Sequence, residues 1–413
     1  MLPWVLCLLL AFSVRPAHAQ RPVDGMRAAL SRADSVIAGE IDRGFVHGAV
    51  LLVSLNGDVV FEKAYGHARL YEFDRSRTDT PELLTVDHLF DLASLSKVFG
   101  TTMAVMLLAD RGVLDLDVPL YRYLPDFRGE NKDSVTVRHL LSHTAGLEPW
   151  KPIYYHADQS GRALAYVTSL PLAYSVATAR HYSDLGFMLL GAVVERLTGE
   201  SLDSFLERSL YGPLQLETVT FRPLEKGHTL IAATSHGNPY ERRMIEDDNF
   251  GYKTDEDPAS FTGWRNYVLQ GEVNDGNAFH AFEGVAGHAG LFGTAKDLSV
   301  LLQVLLNKGR YGGSVIFRPE TVNLFLKPDH TGSGLGWAMA PDIIGVEYPG
   351  AFGHSGFTGT HVVAIPELDL SIILLTNRQH GGPLPSGYYP NTSGLFSRIA
   401  DMIVNGALKQ SAE

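Results

Sequence analysis

The sequence predicts an α+β fold in which an antiparallel sheet flanked by helices is joined to an all-helical lobe. Runs rich in β-forming residues lie near both ends of the chain, at 48–54 and 58–65 and again at 335–340, 350–354, 361–365 and 371–376. Between them, apolar residues recur mainly at helical spacing. We therefore expect one sheet built from both ends of the chain, with a functional site in the cleft between the sheet and the helical lobe.

The composition of the chain is that of an ordinary globular protein. It has 413 residues, of which 45% are hydrophobic and 19% charged, enough for one large domain or two tightly packed ones. The formal net charge of −12 argues against a nucleic-acid-binding protein. No repeat, low-complexity tract or block of like charge divides the chain.

Residues 1–19 resemble a secretory signal peptide. An apolar run, too short to span a bilayer comfortably, is followed by Ala17-His18-Ala19, which predicts cleavage after Ala19 and no retained transmembrane anchor. No Lys or Arg precedes the run, and a buried N-terminal helix is the alternative. The single cysteine, Cys7, lies in this segment, so the mature chain would carry no thiol or disulfide. We expect a secreted, bacterial periplasmic protein with a single catalytic domain at 20–413.

The first part of the predicted sheet lobe covers about 20–90. Residues 24–41 carry apolar side chains at helical spacing, and the hairpin that follows turns at Asn56-Gly57, a dipeptide typical of two-residue hairpin loops. The polar residues 71–86 are predicted to form a loop. A nearly all-apolar helix then begins near Ser96 and ends at Gly112.

The predicted helical lobe covers about 98–221 and contains two further helices, at 136–141 and 185–197. His139 and His143 have the spacing of a helical metal pair. No glutamate follows His139 as in H-E-x-x-H, so we expect hydrogen-bonding histidines rather than zinc ligands.

The remaining chain contains an insertion and the second part of the sheet lobe. Residues 222–283 lack periodicity and are expected to form a long, ordered surface insertion near the site. The second part of the sheet lobe covers about 285–413 and contains the last four β-runs. It also contains predicted helices at 295–308, 319–326 and 395–408, the first capped by Thr294 and closed by Gly309.

Ser94 and Lys97 lie three residues apart at the start of the apolar helix. This spacing puts both side chains on one helical face, and no other serine in the chain has a lysine three residues on. Burial can lower the pKa of the lysine until the neutral amine is a usable base, and the helix N-terminus favours negative charge. The alternative is a capping serine with a solvated lysine.

Tyr182 precedes the 185–197 helix. A tyrosine at a helix entry can present its phenol to a cleft, where a neighbouring amine or ammonium would lower its pKa. The alternative is a tyrosine that only packs against the helix entry, with Asp184 as the helix cap.

Three elements together resemble the motifs of the serine β-lactamase and penicillin-binding-protein superfamily. They are Ser94-Leu95-Ser96-Lys97, Tyr182-Ser183-Asp184 and His354-Ser355-Gly356, which match S-x-x-K, Y-x-N and the H-x-G variant of K-T-G in order and spacing. The resemblance covers about 48–376. It looks closest to the branch of class C β-lactamases, D,D-carboxypeptidases of the penicillin-binding protein 4B type and family VIII carboxylesterases. It implies the β-lactamase/D,D-peptidase-like fold.

The resemblance also implies roles for individual residues. Ser94 would be the acylated nucleophile, Lys97 its base partner and Tyr182 the proton shuttle. The backbone N–H groups of Ser94 and Phe357 would form the oxyanion hole. The residues that would contact the substrate are Asp184, His354, Ser355 and Gly356.

Two positions depart from the family pattern. Asp184 stands where Asn is usual, which replaces a neutral amide by an anion. His354 stands where β-lactamases have Lys, which weakens the positive charge near neutral pH. Both changes argue against efficient β-lactam hydrolysis and leave at most a weak β-lactamase, whereas acyl transfer on peptides or esters stays open.

The resemblance implies a serine hydrolase that works through an acyl-serine intermediate. The first expectation is a D,D-carboxypeptidase on D-Ala-D-Ala or related D-amino-acid peptides of the cell wall. The alternatives are a carboxylesterase on short acyl esters and, in another class, a penicillin-binding or peptidoglycan-sensing module without turnover. An α/β-hydrolase is disfavoured because 353–357 lacks the final glycine of G-x-S-x-G. No cofactor or metal is expected, and the oligomeric state stays open.

Overall fold

The structure is a computed structural model that describes residues 24–129, 131–339 and 348–411. The predicted signal peptide and Cys7 lie outside these residues. Within them, an antiparallel sheet is flanked by helices, which confirms the predicted α+β class.

The described residues form eleven α-helices. They are α1 (Asp24–Asp42), α2 (Met103–Asp110), α3 (Val137–Leu141), α4 (Ser160–Ser169), α5 (Asp184–Thr198), α6 (Leu202–Leu206), α7 (Pro239–Glu246), α8 (Gly276–Ala281), α9 (Ala295–Leu306), α10 (Pro319–Phe325) and α11 (Thr392–Ser411). A π-helical segment, Lys97–Thr102, leads directly into α2. The apolar helix predicted from Ser96 is therefore present.

The same part of the chain contains fourteen strands. They are β1 (Gly48–Leu55), β2 (Asp58–Tyr71), β3 (Arg77–Leu83), β4 (Phe90–Asp91), β5 (Thr220–Phe221), β6 (Ser235–His236), β7 (Val268–Leu269), β8 (Leu291–Gly293), β9 (Arg310–Tyr311), β10 (Ser314–Val315), β11 (Ala338–Met339), β12 (Phe352–Gly356), β13 (Thr360–Ile365) and β14 (Leu370–Thr376).

The central sheet joins the two ends of the chain, as predicted. Its seven strands follow the order β11-β12-β13-β14-β1-β2-β3, and the paired strands are antiparallel. The β1–β2 hairpin turns at Asn56 and Gly57, whose φ angles of 55° and 82° are the left-handed values of a type I′ turn. Strand β12, which carries the third motif, is thus part of a continuous sheet.

Two apolar cores hold this sheet from opposite faces. Along β1, successive side chains alternate between the faces. Leu51 and Val53 belong to a core with α1 and α11, whereas Val50 and Leu52 belong to the larger core shared with α9 and the helical part of the chain. Because both faces are covered, the strands that reach the site have a rigid support.

Parts of the sheet differ from the prediction. The predicted loop at 71–86 contains β3, an edge strand with mostly exposed polar side chains and therefore no apolar alternation to reveal it. The strand expected at 335–340 is limited to β11 within the described residues, and β12 begins at Phe352 rather than at residue 350.

Candidate active site

Ser94 lies on a tight turn between β4 and the helical segment that follows. The preceding residue, Ala93, has a φ of +47°, a left-handed conformation that is strained for a residue with a Cβ. The buried Asp91 carboxylate holds this turn, because it accepts hydrogen bonds from Ala93 N at 2.9 Å and from Asn274 N at 2.6 Å. The chain is thereby fixed immediately before the serine.

Lys97 lies one turn after Ser94, and its side chain is fully buried. Its Nζ donates to Ser94 Oγ at 3.0 Å and to the His288 carbonyl at 3.1 Å, and it lies 2.6 Å from an Asp184 carboxylate oxygen. These contacts account for the three protons of an ammonium. The alternative of a solvated lysine behind a capping serine is wrong.

The charge state of Lys97 depends on burial and on its neighbours. Burial alone would lower the pKa of Lys97, but the Asp184 carboxylate and the Tyr182 side chain outweigh this effect and raise it. Burial therefore does not leave Lys97 a neutral amine, because the Asp184 anion stands where a neutral amide is usual. At neutral pH, Lys97 is an ammonium.

A loop between α3 and α5 holds Tyr182 in place. The His143 ring packs against the Tyr182 ring with their centroids 4.4 Å apart. His143 Nδ1 accepts from Ser183 N at 3.0 Å, and Ser183 Oγ accepts from Gly186 N at 3.3 Å at the start of α5. Ser183 is therefore the helix cap, and Asp184 is free to pair with the lysine.

The Tyr182 side chain lies beside Lys97 and Ser94, both of which act to lower its pKa. Burial raises the pKa of Tyr182, and the Lys97 ammonium, 4.9 Å from the centroid of the ring, offsets only part of this increase. The lysine therefore lowers the tyrosine pKa, as the sequence suggested, but burial outweighs it. Tyr182 is a neutral phenol in the resting site.

Strand β12 forms the opposite wall of the cleft. His354 is buried there, with its ring centroid 6.0 Å from that of Tyr182. Burial and the charge of Lys97 lower the pKa of His354 to about 3. His354 Nδ1 donates to the Ser355 carbonyl at 2.8 Å, which fixes the neutral tautomer. This wall therefore carries no positive charge from His354 at neutral pH.

The backbone of Phe357, just after β12, is held by hydrogen bonds from two side chains to its carbonyl. Its carbonyl accepts from Arg378 Nε and from Gln379 Nε2, both at 3.0 Å. The Phe357 side chain is 40% exposed and lies at the cleft. The Phe357 N–H belongs to the preceding peptide unit, whose Gly356 carbonyl accepts from Gly359 N at 2.9 Å, and this bond orients the N–H as an oxyanion hole requires.

Gly356 allows β12 to approach the serine turn closely. A Cβ at this position would lie 2.2 Å from Thr360 Oγ1 and 2.4 Å from the carbonyl oxygen of Leu92, two residues before Ser94. Such distances exclude any side chain without a shift of the strand. The glycine of the third motif therefore sets the spacing between β12 and the turn that carries the serine.

The 222–283 segment is ordered and lines the cleft, as expected. The Tyr240 ring of α7 contacts the Phe357 ring at a centroid distance of 4.9 Å. Asp275 Oδ1 lies 2.9 Å from Nε2 of His288, whose carbonyl accepts from Lys97 Nζ. Burial and the neighbouring Asp275 raise the pKa of Glu241 to about 8.

The structure brings all the residues predicted for the site to one cleft of about 770 Å³. They are Ser94, Lys97, Tyr182, Asp184, His354, Ser355, Gly356 and Phe357. Other residues that line the cleft were not singled out from the sequence, and they include Arg180, Tyr240, Glu241, Asp275, His288 and Arg378. Arg180, Asp275 and His288 lie outside regular elements, where no periodicity predicts side-chain direction. The only signal was Asp275-Gly276, which has the pattern of a helix cap.

His139 and His143 are hydrogen-bonded, as predicted. His139 Nδ1 accepts from Thr136 N at 3.2 Å, and His143 Nδ1 accepts from Ser183 N. In the described ranges, no group of three or more His, Cys, Asp or Glu side chains is placed to hold a metal ion. Across the same ranges, no helix is both long enough and apolar enough to cross a membrane.

A serine beside a buried lysine and a tyrosine, between an antiparallel sheet and a helical lobe, is the arrangement of serine hydrolases of the β-lactamase and penicillin-binding-protein type. A family model described as Beta-lactamase matches residues 33–390. The chain therefore belongs to the beta-lactamase family, which confirms the resemblance carried by the three motifs.

Two of the similar proteins have the names of enzymes that act on the cell wall. The chain is 35% identical over 387 residues to an N-acetylmuramyl-L-alanine amidase of Bacillus subtilis (strain 168), covering 88% of this chain and 84% of that protein. It is 33% identical over 412 residues to a protein of Salmonella agona (strain SL483) provisionally named D-alanyl-D-alanine carboxypeptidase, covering 92% and 91%. Among solved structures, EstCE1, a hydrolase with promiscuous acyltransferase activity, matches with a TM-score of 0.66 at 21% identity, covering 92% and 99%. The predicted fold is confirmed.

Proposed function

We propose that the protein hydrolyses an amide bond of cell-wall peptides through an acyl-Ser94 intermediate, as a D,D-carboxypeptidase. The proposal depends on one observation, the contacts of Lys97. Its ammonium donates to Ser94 Oγ at 3.0 Å and is held 2.6 Å from the Asp184 carboxylate. A serine oxygen held by a buried cation beside a tyrosine hydroxyl is equipped for nucleophilic attack and proton transfer.

In the proposed acylation, Ser94 Oγ attacks the carbonyl carbon of the scissile amide. Lys97 already carries three protons and donates one of them toward Oγ, so we assign Tyr182 as the proton relay: its hydroxyl oxygen accepts the Ser94 proton while its own phenol proton moves to the leaving nitrogen. The Lys97 ammonium stabilises the negative charge that develops on Ser94 Oγ and on the Tyr182 oxygen during this transfer. The C–N bond breaks as the phenol proton reaches the nitrogen, and the same steps with water release the acid.

The proposed oxyanion hole consists of the backbone N–H groups of Ser94 and Phe357. The hydrogen bond from Gly359 N to the Gly356 carbonyl at 2.9 Å supports this assignment, because it fixes the peptide unit that carries the Phe357 N–H before any charge develops. Donors that are oriented in advance need no reorganisation in the transition state.

The choice of a cell-wall substrate is supported by the names of the relatives. A second candidate is an N-acetylmuramyl-L-alanine amidase, favoured by the relative at 35% identity. Both reactions transfer an acyl group from an amide to water. They differ in which amide bond of the substrate lies next to Ser94, and not in the proposed catalytic residues. Either substrate lies outside the cytoplasmic membrane, in agreement with a periplasmic protein whose catalytic domain spans 20–413.

The proposal can be tested with a disaccharide-pentapeptide fragment of peptidoglycan and mass spectrometry, beside Ser94→Ala. Loss of one terminal D-alanine with the wild type alone supports the carboxypeptidase. Release of the whole peptide from the disaccharide would replace it by the amidase. Turnover of short acyl esters only would favour the esterase, and a benzylpenicillin adduct without any turnover would favour the binding module.

A further inference from the structure

Arg180 is an exposed cation at the cleft, two residues before Tyr182. Its guanidinium carbon lies 5.8 Å from the centroid of the Tyr182 ring. Its charge also acts on the opposite wall: after burial and Lys97, Arg180 contributes to the low pKa of His354. The guanidinium therefore lies beside the tyrosine ring and lines the same cleft as β12.

The other charged groups that line the cleft are already compensated. Lys97 pairs with Asp184 at 2.6 Å, and Asp275 lies 2.9 Å from His288. The Arg378 guanidinium donates to the carbonyl oxygens of Phe357 and Pro390. These partners occupy polar atoms that a ligand would need, including donors of the Arg378 guanidinium.

Arg180 differs from these groups. Among the described residues, no hydrogen bond or ion pair engages its guanidinium, and its contact is with the tyrosine ring. A guanidinium offers five N–H donors in a planar fork that matches a carboxylate in two-point contact. An unpaired guanidinium beside the nucleophile can therefore recognise an anionic group of the substrate.

The position of Arg180 also indicates the side of the scissile bond on which the anion binds. In the proposed mechanism, Tyr182 delivers a proton to the leaving group, so the leaving group lies over the tyrosine. Arg180 lies on the same ring, whereas the oxyanion donors are on the turn and on β12. An anion bound by Arg180 thus belongs to the leaving group rather than to the acyl group.

We propose that Arg180 is a specificity-determining residue that binds a free carboxylate on the leaving group, and so selects acyl donors whose leaving group ends in a carboxylate. This inference rests on the proposed function, because it assumes that Ser94 attacks an acyl group in this cleft. It favours a carboxypeptidase over the amidase, since a departing terminal amino acid carries its carboxylate next to the scissile bond.

The test compares two esters with the same N-acyl-D-alanyl group, one with free lactate and one with methyl lactate as the leaving group. Wild type should prefer the free carboxylate by about tenfold in kcat/KM, as expected for one charged, solvent-accessible hydrogen-bonded contact. Arg180→Gln should lose this preference, so that its kcat/KM values for the two esters become about equal. Arg180→Lys should keep part of it, because the charge remains and the fork is lost.

The matched control is Arg32→Gln, which removes the same charge from an exposed position on α1, on the far face of the sheet. It should leave both rates unchanged. Added salt should weaken the preference of the wild type for the ester with the free carboxylate. It should not change the kcat/KM of the wild type for the methyl lactate ester. Equal loss of both rates in Arg180→Gln, or no preference in wild type, would overturn the inference.

The ester pair separates this inference from the proposed function. A protein that cleaves no peptide but shows the Arg180-dependent ester preference would refute the carboxypeptidase and retain the carboxylate site. If neither ester turns over, calorimetry with N-acetyl-D-alanyl-D-alanine decides. Ser94→Ala should bind the dipeptide about tenfold more tightly than Ser94→Ala/Arg180→Gln, with no such difference for its C-terminal amide. Equal binding by both variants, or none, would contradict the carboxylate site.

Discussion

The ion pair between Lys97 and Asp184 determines the protonation state of the resting site. Asp184→Asn removes the largest of the effects that raise the pKa of Lys97 and leaves burial in place, so we expect this pKa to fall. NMR titration of the lysine side chain would measure this directly. Because the proposed mechanism needs the ammonium, the alkaline limb of kcat/KM should move to lower pH by at least about one unit.

Asp117→Asn is a suitable control for that variant. Asp117 pairs with Arg138 at 2.6 Å on the surface, where its side chain is 63% exposed. Removing this pair should not move the pH profile. If the acidic limb of Asp184→Asn shifts to lower pH instead, Lys97 acts as the base and the assignment to Tyr182 is wrong.

At the residue scale, the motifs predicted which side chains meet but not their protonation. Ser94 and Lys97 are three residues apart, and helical geometry alone brings them together. The sign of the Lys97 pKa depends on Asp184, which reaches it from a different element. A pKa is set by such neighbours in space, and the sequence does not order them.

At the element scale, the close approach of β12 to the serine turn is open to a direct test. Gly356→Ala places a methyl group against the Leu92 carbonyl, so the strand must move away from the turn. We expect a loss of about 1–3 kcal/mol in the free energy of unfolding and about a hundredfold loss in kcat/KM. Chemical denaturation and ester hydrolysis would measure the two effects.

Gly394→Ala is the corresponding control in α11. A Cβ at Gly394 meets no atom within 4 Å, so the same chemical change should leave activity intact and the fold at least as stable. A fully active Gly356→Ala enzyme would mean that the spacing between β12 and the turn is not critical.

The elements themselves were predictable to different degrees. The β1–β2 hairpin and helix α9 carry strong local signals, Asn56-Gly57 in one case and Thr294 with Gly309 in the other, and both are present. Strand β3 was missed because its side chains are mostly solvated, so pairing with β2 and not burial makes it a strand. The 222–283 segment owes its structure to contacts at the cleft, which no local pattern reveals.

At the scale of the whole molecule, buried neutral histidines predict acid sensitivity. Burial lowers the pKa to about 4 for His236 and His280 and to about 3 for His354, His361 and His380. Between pH of about 6.5 and 4 the unfolded chain therefore binds more protons, and the free energy of unfolding falls as the pH falls. The raised pKa values of Asp91 and Glu241 act in the opposite sense but are fewer. Denaturation midpoints at pH 7.5, 6 and 5 should fall steadily, and a constant midpoint would contradict this account.

His380 should account for one of the extra protons that the unfolded chain binds in this pH range. Its Nε2 accepts from Leu70 N at 2.8 Å and from Tyr71 N at 3.1 Å, so protonation at this nitrogen breaks both bonds. In His380→Gln, an amide oxygen can accept without titrating. The slope of the free energy of unfolding against pH should then decrease by at most about 1.4 kcal/mol per unit below pH 6. An unchanged slope would assign the dependence to the other histidines.

The joining of both ends of the chain in one sheet has a consequence for biosynthesis. Ala49 in β1 pairs with Thr376 in β14, so 327 residues of chain (376 − 49) must follow before β1 meets this partner. At ribosomal speeds of about 5–20 residues per second, that takes roughly 16–65 s. During this time β1, whose side chains are all buried in the final structure, has an unpaired edge and incompletely covered faces. The nascent chain therefore depends on protection from aggregation until its last strand is made.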